Sequence, residues 1–360
     1  MEPAVLDELR RILTAHARHY PLMGPCDGVK LLYQNEFGGG HLIRSPAESL
    51  ARLERECAGV EARPDSPPFE EIGGGMVRVM LPALVRSGYT PETLNRDFVR
   101  SARRHTGTQS GLIKKLEVLR QLAGEGLFGF SVQALEDYLT PYLCAGCPAV
   151  SHSPEYRRAY APAYRVVERS CSLPLLLEEV SSLCVSSAGR PVLVALDGRC
   201  ASGKTTLAQR LQAEYGFAVV HMDHFFLRPE QRTGARYDQP GGNVDYERVL
   251  EQALLPLSRG EEAVYRPFDC AAQALGPPLR ISPAPAVLVE GSYACHPALW
   301  DCYALHAFLT VPPQLQWERI LSRNGPEYSQ VFRSKWIPLE ERYFSAFHIQ
   351  DRCAYRLEGN

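Results

Sequence analysis

The sequence predicts an α/β fold over residues 186–360, a doubly wound parallel sheet, preceded by a mostly α-helical domain over residues 1–185. Three observations predict it. The run Gly198-Arg199-Cys200-Ala201-Ser202-Gly203-Lys204-Thr205-Thr206 fits G-x-x-x-x-G-K-[ST], between an apolar β-branched run at 192–196 and apolar residues at helical spacing in 206–211. Beyond it, strand-like and helix-like runs alternate to residue 357, as a parallel sheet requires. Before it, helix-start signatures recur instead.

In the first half, Ser45-Pro46-Ala47-Glu48 is a cap with proline at the first helical position, and a helix over 50–57 follows. Thr90-Pro91-Glu92 starts a second helix. Ser153-Pro154-Glu155 starts a third, with Tyr156, Tyr160 and Tyr164 along one side. Two clusters, Gly38-Gly39-Gly40-His41 and Gly73-Gly74-Gly75-Met76, are costly in backbone entropy, so each demands unusual dihedrals or close contact. Asp27, Lys30, Asn35, Glu36, His41, Glu70, Glu71 and Arg78 lie near them in sequence. Two readings stay open: a site, or tight turns and helix ends.

The small, polar run at 181–190 reads as the junction. Strands are then expected at 192–196, 217–222, 286–290 and 306–311, with a last short one at 354–357. Helices follow the glycine loop and occupy 313–323 and 338–347.

Only glycine lets the backbone of such a loop wrap closely enough to aim its N–H groups at phosphate oxygens, and the helix N-terminus adds favourable potential. Gly198, Ala201, Ser202, Gly203, Lys204, Thr205 and Thr206 are therefore the expected nucleoside triphosphate contacts. Lys204 is expected on the β/γ-phosphates and the Thr205 hydroxyl on Mg²⁺. Ligands of open parallel sheets collect at the carboxyl ends of the strands. There the second strand ends at Asp223 and the third at Glu290, so two carboxylates are expected beside the cradle. Phosphoryl transfer to an alcohol uses one carboxylate to orient the hydroxyl proton and another to hold the metal.

Four segments, Gly198–Thr206, Met222-Asp223-His224-Phe225-Phe226, Tyr237-Asp238-Gln239-Pro240-Gly241-Gly242-Asn243-Val244-Asp245-Tyr246 and Leu288-Val289-Glu290-Gly291, together resemble the uridine kinase-like branch of P-loop kinases. That branch includes phosphoribulokinase and bacterial pantothenate kinase. The resemblance covers roughly residues 190–357 and nothing in the first 185. It implies an ATP- and Mg²⁺-dependent kinase of a nucleoside-like hydroxyl. Asp223 would be the base, Glu290 would serve Mg²⁺ and Asp238 would bind sugar hydroxyls, with Phe226 beside the acceptor. Arg319, Arg323 and Arg333 fall where these kinases keep a cationic lid. The pattern also departs from the family. Uridine kinases carry Tyr-Asp-Phe and a following histidine that reads the pyrimidine. Here Tyr265-Arg266-Pro267-Phe268-Asp269-Cys270 is followed by Ala271-Ala272-Gln273. Phe268 offers a ring for stacking, but the histidine is missing. The lid is short and contains Gly325-Pro326. A kinase of another small alcohol (a sugar, a polyol, a pantothenate-like molecule) therefore stands beside the nucleoside reading. A nucleotide-switched regulatory protein, with the first domain as its partner-binding half, is the alternative of another class. A second enzyme in that domain, using Glu36, His41 and Glu71, is the remaining one.

Composition sets outer limits. A net charge of −2 does not predict a nucleic-acid-binding field. No apolar run has membrane-spanning length, and Met1–Glu8 has no export-signal core, so a cytoplasmic location is expected. The odd, scattered set of 11 cysteines reads as reduced thiols. Cys144-Ala145-Gly146-Cys147 is a lone C-x-x-C whose nearest further ligand is His152, and idle or buried thiols are favoured over zinc. Homo-oligomerisation is left open.

Overall fold

A computed structural model of the protein describes residues 2–63 and 66–359, which form two compact units, Met1–Pro174 and Leu175–Asn360. The first holds α1 (Pro3–His19), α2 (Pro25–Phe37), α3 (Pro46–Gly59), β1 (Phe69–Gly73), β2 (Met76–Met80), α4 (Pro91–Arg104), α5 (Gln109–Gly124), α6 (Val132–Cys144), α7 (Pro154–Tyr160) and β3 (Tyr164–Glu168). Helices dominate, as expected. The three capped starts are present: Ser45, Thr90 and Ser153 each accept the N–H three residues on. The core gathers Leu9, Ile12 and Leu13 of α1, Val29 and Leu32 of α2, and Leu116 and Leu119 of α5, at the i, i+3, i+4 spacing that builds one apolar stripe per helix.

Two expectations for this unit are corrected. An antiparallel sheet in the order β1-β2-β3 is present that the helix signatures did not announce. Tyr164 belongs to β3 and does not extend the tyrosine row of α7, because that helix stops at Ala161, whose φ is +42°. The glycine clusters are a turn and a helix end. Gly73, Gly74 and Gly75 all have positive φ and close the β1–β2 hairpin, and Gly38 caps α2.

The second unit opens on α8 (Leu173–Ser186), whose first residues precede the boundary. The run at 181–190 is thus partly helix, because the leucine-rich stretch before it carries the helix through Ser186. The turn comes at Ala188 and Gly189, both with positive φ. Then come β4 (Val192–Gly198), α9 (Lys204–Tyr215), β5 (Ala218–His221), α10 (Gly234–Tyr237), α11 (Tyr246–Val249) and α12 (Leu255–Ser258). Short strands β6 (Ala263–Tyr265), β7 (Phe268–Asp269), β8 (Ala274–Leu275) and β9 (Leu279–Ile281) pair as two small antiparallel ribbons. The unit ends with β10 (Ala286–Glu290), β11 (Leu305–Thr310), α13 (Pro313–Val331), α14 (Ile337–Phe347), α15 (Ile349–Arg352) and β12 (Tyr355–Glu358).

The main sheet runs β12-β11-β4-β10-β5, every pairing parallel. Central β4 is buried at all seven positions, as a strand covered on both faces must be. This is a doubly wound α/β fold with its glycine loop after the central strand, a P-loop kinase-like fold. Register places Glu290 level with Leu196 on one side and His221 on the other, so the ends of β4, β10 and β5 share one edge. Glycine is obligatory where these ends meet. A Cβ on Gly198 (φ +141°) would lie 2.1 Å from the Leu309 carbonyl oxygen, and one on Gly291 (φ +135°) 2.6 Å from Met222 Cβ. Among the described residues, no helix is long and apolar enough to cross a membrane.

Candidate active site

The loop between β4 and α9 has the form of a phosphate cradle. Ala201 (φ +56°) and Gly203 (φ +99°) take left-handed conformations, the kind of turn from which anion-binding nests are built, while the Ser202 N–H donates within the loop to the Arg199 carbonyl at 3.2 Å. Ser202 is buried and its hydroxyl finds no partner among the described residues. Lys204, also buried, donates from Nζ to the carbonyl oxygens of Gly198 (2.7 Å) and Arg199 (2.9 Å), folded back over its own loop. An orphaned hydroxyl, a helix N-terminus and a cation resting on replaceable carbonyls suit a polyphosphate. Thr205 and Thr206 are exposed at the start of α9.

Glu290 is buried at the end of β10, where its Oε1 accepts the Thr205 hydroxyl at 3.1 Å and lies 2.6 Å from His221 Nδ1. That contact with Glu290 raises the His221 pKa above its ordinary value, against the opposing effect of burial. A carboxylate and a hydroxyl side by side at the mouth of a phosphate loop are the oxygen donors a hard divalent cation takes.

Asp223 follows β5 in a short 3₁₀ turn. The residue is exposed, yet the protein around it still desolvates its carboxyl. Desolvation raises its carboxyl pKa, Lys204 opposes this, Glu290 adds to it, and His221 and Arg323 oppose it. The Phe268–Asp269 strand of the following hairpin packs against the Met222–Phe225 turn that carries Asp223.

Arg319 of α13 donates from Nη1 to the Ala201 carbonyl at 3.1 Å, directly on the loop. Arg323 is exposed, its guanidinium 5.6 Å from the Phe332 ring centre, and Arg333 lies 5.7 Å over Trp317. Gly325 (φ +73°) and Pro326 break α13, and a π-helical turn, Phe332–Trp336, leads into α14. The polar stretch after residue 323 is therefore a kinked helical arm.

The residues expected around an acceptor are less uniform. Asp238 is exposed at the end of α10, where Arg342 of α14 donates to the carbonyls of Tyr237 and Gln239. A cleft of about 340 Å³ opens beside it, lined by Tyr237, Ser334, Lys335, Pro338, Leu339 and Arg342. Phe226 is half-buried and bridges to Val244. Phe268 is 5% exposed, with the Arg232 guanidinium 5.2 Å over its ring.

Several residues of the site are absent from the motif reading. Asp197 is fully buried and accepts from the N–H groups of Gly198 (2.7 Å), Tyr293 (3.1 Å) and Cys295 (2.9 Å) and from the Tyr343 hydroxyl (2.9 Å). Burial still pushes its pKa up, to about 6. It ties the glycine loop to the segment after β10 and to α14. Glu340 and Glu341 of α14 bind the loop as well: Glu340 Oε2 accepts the Cys200 N–H at 3.0 Å, and Glu341 takes the Arg199 guanidinium with both oxygens (2.7 and 3.1 Å). Position at the end of the first strand is the one sequence signal that marked Asp197.

In the first unit, the polar residues near the glycine clusters are satisfied by one another. Asp27 accepts from Gly24 N–H (3.0 Å), Ser153 N–H (3.0 Å) and Ser153 Oγ (2.7 Å), and lies 2.8 Å from His152 Nδ1. The other His152 nitrogen is 2.6 Å from the Tyr164 hydroxyl. Arg78, buried, donates to Gln34 and to Glu70 (2.8 Å), and Glu70 accepts the Tyr20 hydroxyl (2.6 Å). Glu36 pairs with Lys115 at 2.7 Å, Asn35 donates to the Ile72 carbonyl, Lys30 donates to the Val150 carbonyl, Glu71 pairs with Arg169, and His41 meets the Tyr33 ring. Both His152 nitrogens are thus engaged, and Cys144 is exposed while Cys147 is buried. Among the described residues no three His, Cys, Asp or Glu side chains converge as a metal site.

No family model matches the chain. Among solved structures it is similar to a possible uridine kinase from Bacillus stearothermophilus, at 17% identity and a TM-score of 0.37, over 51% of this chain and 98% of that one. It is also similar to TT1252 from Thermus thermophilus, at 19% identity and a TM-score of 0.30, over 48% of this chain and 90% of that one. Likenesses this loose carry no chemistry across; the fold stands on the sheet order and the loop.

Proposed function

We propose that the protein is an ATP-dependent kinase that transfers the γ-phosphoryl group to a hydroxyl of a nucleoside or nucleoside-like small metabolite. One observation carries the reading. The Thr205 hydroxyl and Glu290 are hydrogen-bonded beside the phosphate cradle, and Asp223 lies within electrostatic reach of Lys204, Glu290 and Arg323.

In this reading the N–H groups of Ala201 and of Gly203 to Thr206 hold phosphate oxygens, and Lys204 exchanges its two loop carbonyls for the β/γ-phosphates. Thr205 and Glu290 would hold Mg²⁺, which when bound neutralises the phosphate oxygens. Asp223 takes the acceptor's hydroxyl proton. The upward displacement of its pKa brings its basicity nearer to working pH, which suits a general base. Arg319 and Arg323 neutralise charge on the moving phosphoryl group, a role that needs only position and sign. Asp238, Phe226 and Phe268 frame the acceptor.

A screen of purified protein against nucleosides and sugar alcohols tests this, with Lys204→Ala as control. Acceptor-dependent ADP release above that control supports the reading; no acceptor raising it would end it.

A different small alcohol is favoured as acceptor by one feature. The Phe268 ring is covered by Arg232, so its face is closed to a base unless that arginine moves, and no histidine follows in the hairpin. Turnover on free sugars and polyols exceeding that on nucleosides would decide for it.

A further inference from the structure

The geometry points to Glu340 and Glu341 as positioning residues that lock the glycine loop to the root of the α13–α14 arm, so that a phosphate held by the loop is registered with the arm's cations. This rests on the kinase reading above.

Residues 199–201 are gripped from both ends of the arm. From α13, Gln316 Nε2 donates to the Cys200 carbonyl at 3.0 Å and Arg319 to the Ala201 carbonyl at 3.1 Å. From α14, Glu340 accepts the Cys200 N–H, and Glu341 holds Arg199 in a two-bond fork. The Arg199 guanidinium reaches the Thr310 hydroxyl (3.1 Å) and Gln350 (3.3 Å) as well. A cation in the loop sequence would serve a phosphate if it turned inward. Here every bond it makes goes to the surrounding protein, so it acts as a brace.

Glu340 is 5% exposed, and a buried carboxylate is costly unless hydrogen-bonded. Its second oxygen meets that demand by accepting the Ser292 hydroxyl at 2.6 Å. An anion beside a phosphate cradle opposes nucleotide binding electrostatically. Affinity therefore does not account for its position, whereas register does. Between the two anchor points the arm has its break at Gly325-Pro326 and the π-helical turn at Phe332–Trp336. Such irregular turns recur at functional sites and let a segment adjust while its roots stay fixed.

The test is hydrogen exchange of the full-length protein with and without Mg²⁺ and a non-hydrolysable ATP analogue, for wild type, Glu340→Ala, Glu341→Ala and the conservative Glu341→Gln. In wild type, amides of residues 319–336 gain protection with the analogue. In the two alanine variants the analogue binds within about threefold of wild-type affinity, arm protection is lost, and turnover falls at least about tenfold, the scale of a small misplacement at a reacting centre. Glu341→Gln, which keeps one bond to Arg199, recovers part of both. Equal arm protection in wild type and alanine variants overturns the inference. So does loss of analogue binding at unchanged melting temperature, which would make these glutamates part of the cradle itself. If an alanine variant fails to fold, Glu341→Gln decides on the same two readouts. No analogue binding by wild type would remove the kinase reading, and this inference with it; binding without the variant effect removes the inference alone.

Discussion

Thr205 Oγ1 donates to Glu290 Oε1 across 3.1 Å, joining the first turn of the helix after the glycine loop to the end of the neighbouring strand. Strand register makes the contact, because Glu290 pairs with Leu196 only a few residues before the loop. In the proposed reading the pair would offer two oxygen donors to Mg²⁺. Glu290→Gln keeps the shape and an oxygen but removes the charge. It should raise the Mg²⁺ concentration for half-maximal turnover by about tenfold, while nucleotide binding in the presence of a chelator stays within about threefold. Titration of activity with Mg²⁺, beside binding in EDTA, checks this; an unchanged Mg²⁺ requirement assigns Glu290 another role.

Lys204 and Asp223 should separate binding from chemistry. Lys204→Ala removes charge-assisted contacts to phosphate, each on the order of 1.5–3 kcal/mol, so nucleotide affinity should fall by about 10- to 100-fold. Asp223→Ala should leave nucleotide binding nearly intact and reduce turnover by at least about 100-fold, the contribution of a positioned base. Calorimetric titration with the nucleotide and single-turnover rates measure the two effects. If Asp223→Ala lost affinity instead, its carboxylate would belong to the nucleotide site.

The contrast between the two units explains what could be read in advance. A phosphate loop is a local constraint: glycine at fixed spacing, a strand before and a helix after. The five sheet strands accordingly lie within two residues of their expected bounds. The positions of Asp223 and Glu290 at one sheet edge were legible because both follow from where the strands end. Asp197, Glu340 and Glu341 act through contacts from one part of the unit to another; only the strand-end position of Asp197 is visible in sequence, and nothing near Glu340 and Glu341 announces their bonds. In the first unit, a serine or threonine before proline marked α3, α4 and α7. Helices α1, α2, α5 and α6 lack that combination and form because their apolar stripes bury together. The β1-β2-β3 sheet was hidden because β2 is buried on both sides and carries Arg78 at its centre, a residue tolerated there through Gln34, Glu70 and the Tyr164 ring.

Gly198 and Gly203 should respond differently to the same substitution. Both have positive φ, so alanine at either is strained by about 1 kcal/mol or more. At Gly203 the added methyl meets nothing within 4 Å, whereas at Gly198 it would lie 2.1 Å from the Leu309 carbonyl oxygen on the adjacent strand. Gly198→Ala must therefore separate β4 from β11, and should cost on the order of 3 kcal/mol or prevent folding. Urea unfolding followed by fluorescence of Trp300, Trp317 and Trp336, all in the second unit, gives the comparison. Equal losses for the two variants would mean that backbone strain alone matters.

Protonation of His152 should weaken the first unit in acid. Burial lowers its pKa from 6.5 to about 4, although the bond to Asp27 favours the charged form. Between those values the unfolded chain takes up a proton that the folded chain refuses, so unfolding becomes easier as pH falls from 6.5 toward 4. Above 6.5 the residue contributes no pH dependence. The displacement corresponds to about 3 kcal/mol across that window, and the side chain, 6% exposed, is little screened by solvent. His152→Gln retains hydrogen-bonding groups toward Asp27 and Tyr164 but cannot titrate. Urea unfolding of both proteins by far-UV circular dichroism between pH 4 and 7 should show a shallower acid loss in the variant. The tryptophan signal provides the control, since it reports on the second unit and should fall equally with pH in both. His296 in that unit, whose pKa burial also lowers to about 4, is present in each. Matching circular-dichroism slopes would mean that His152 is hydrated in solution, and its bonds to Asp27 and Tyr164 would then have to be open to water.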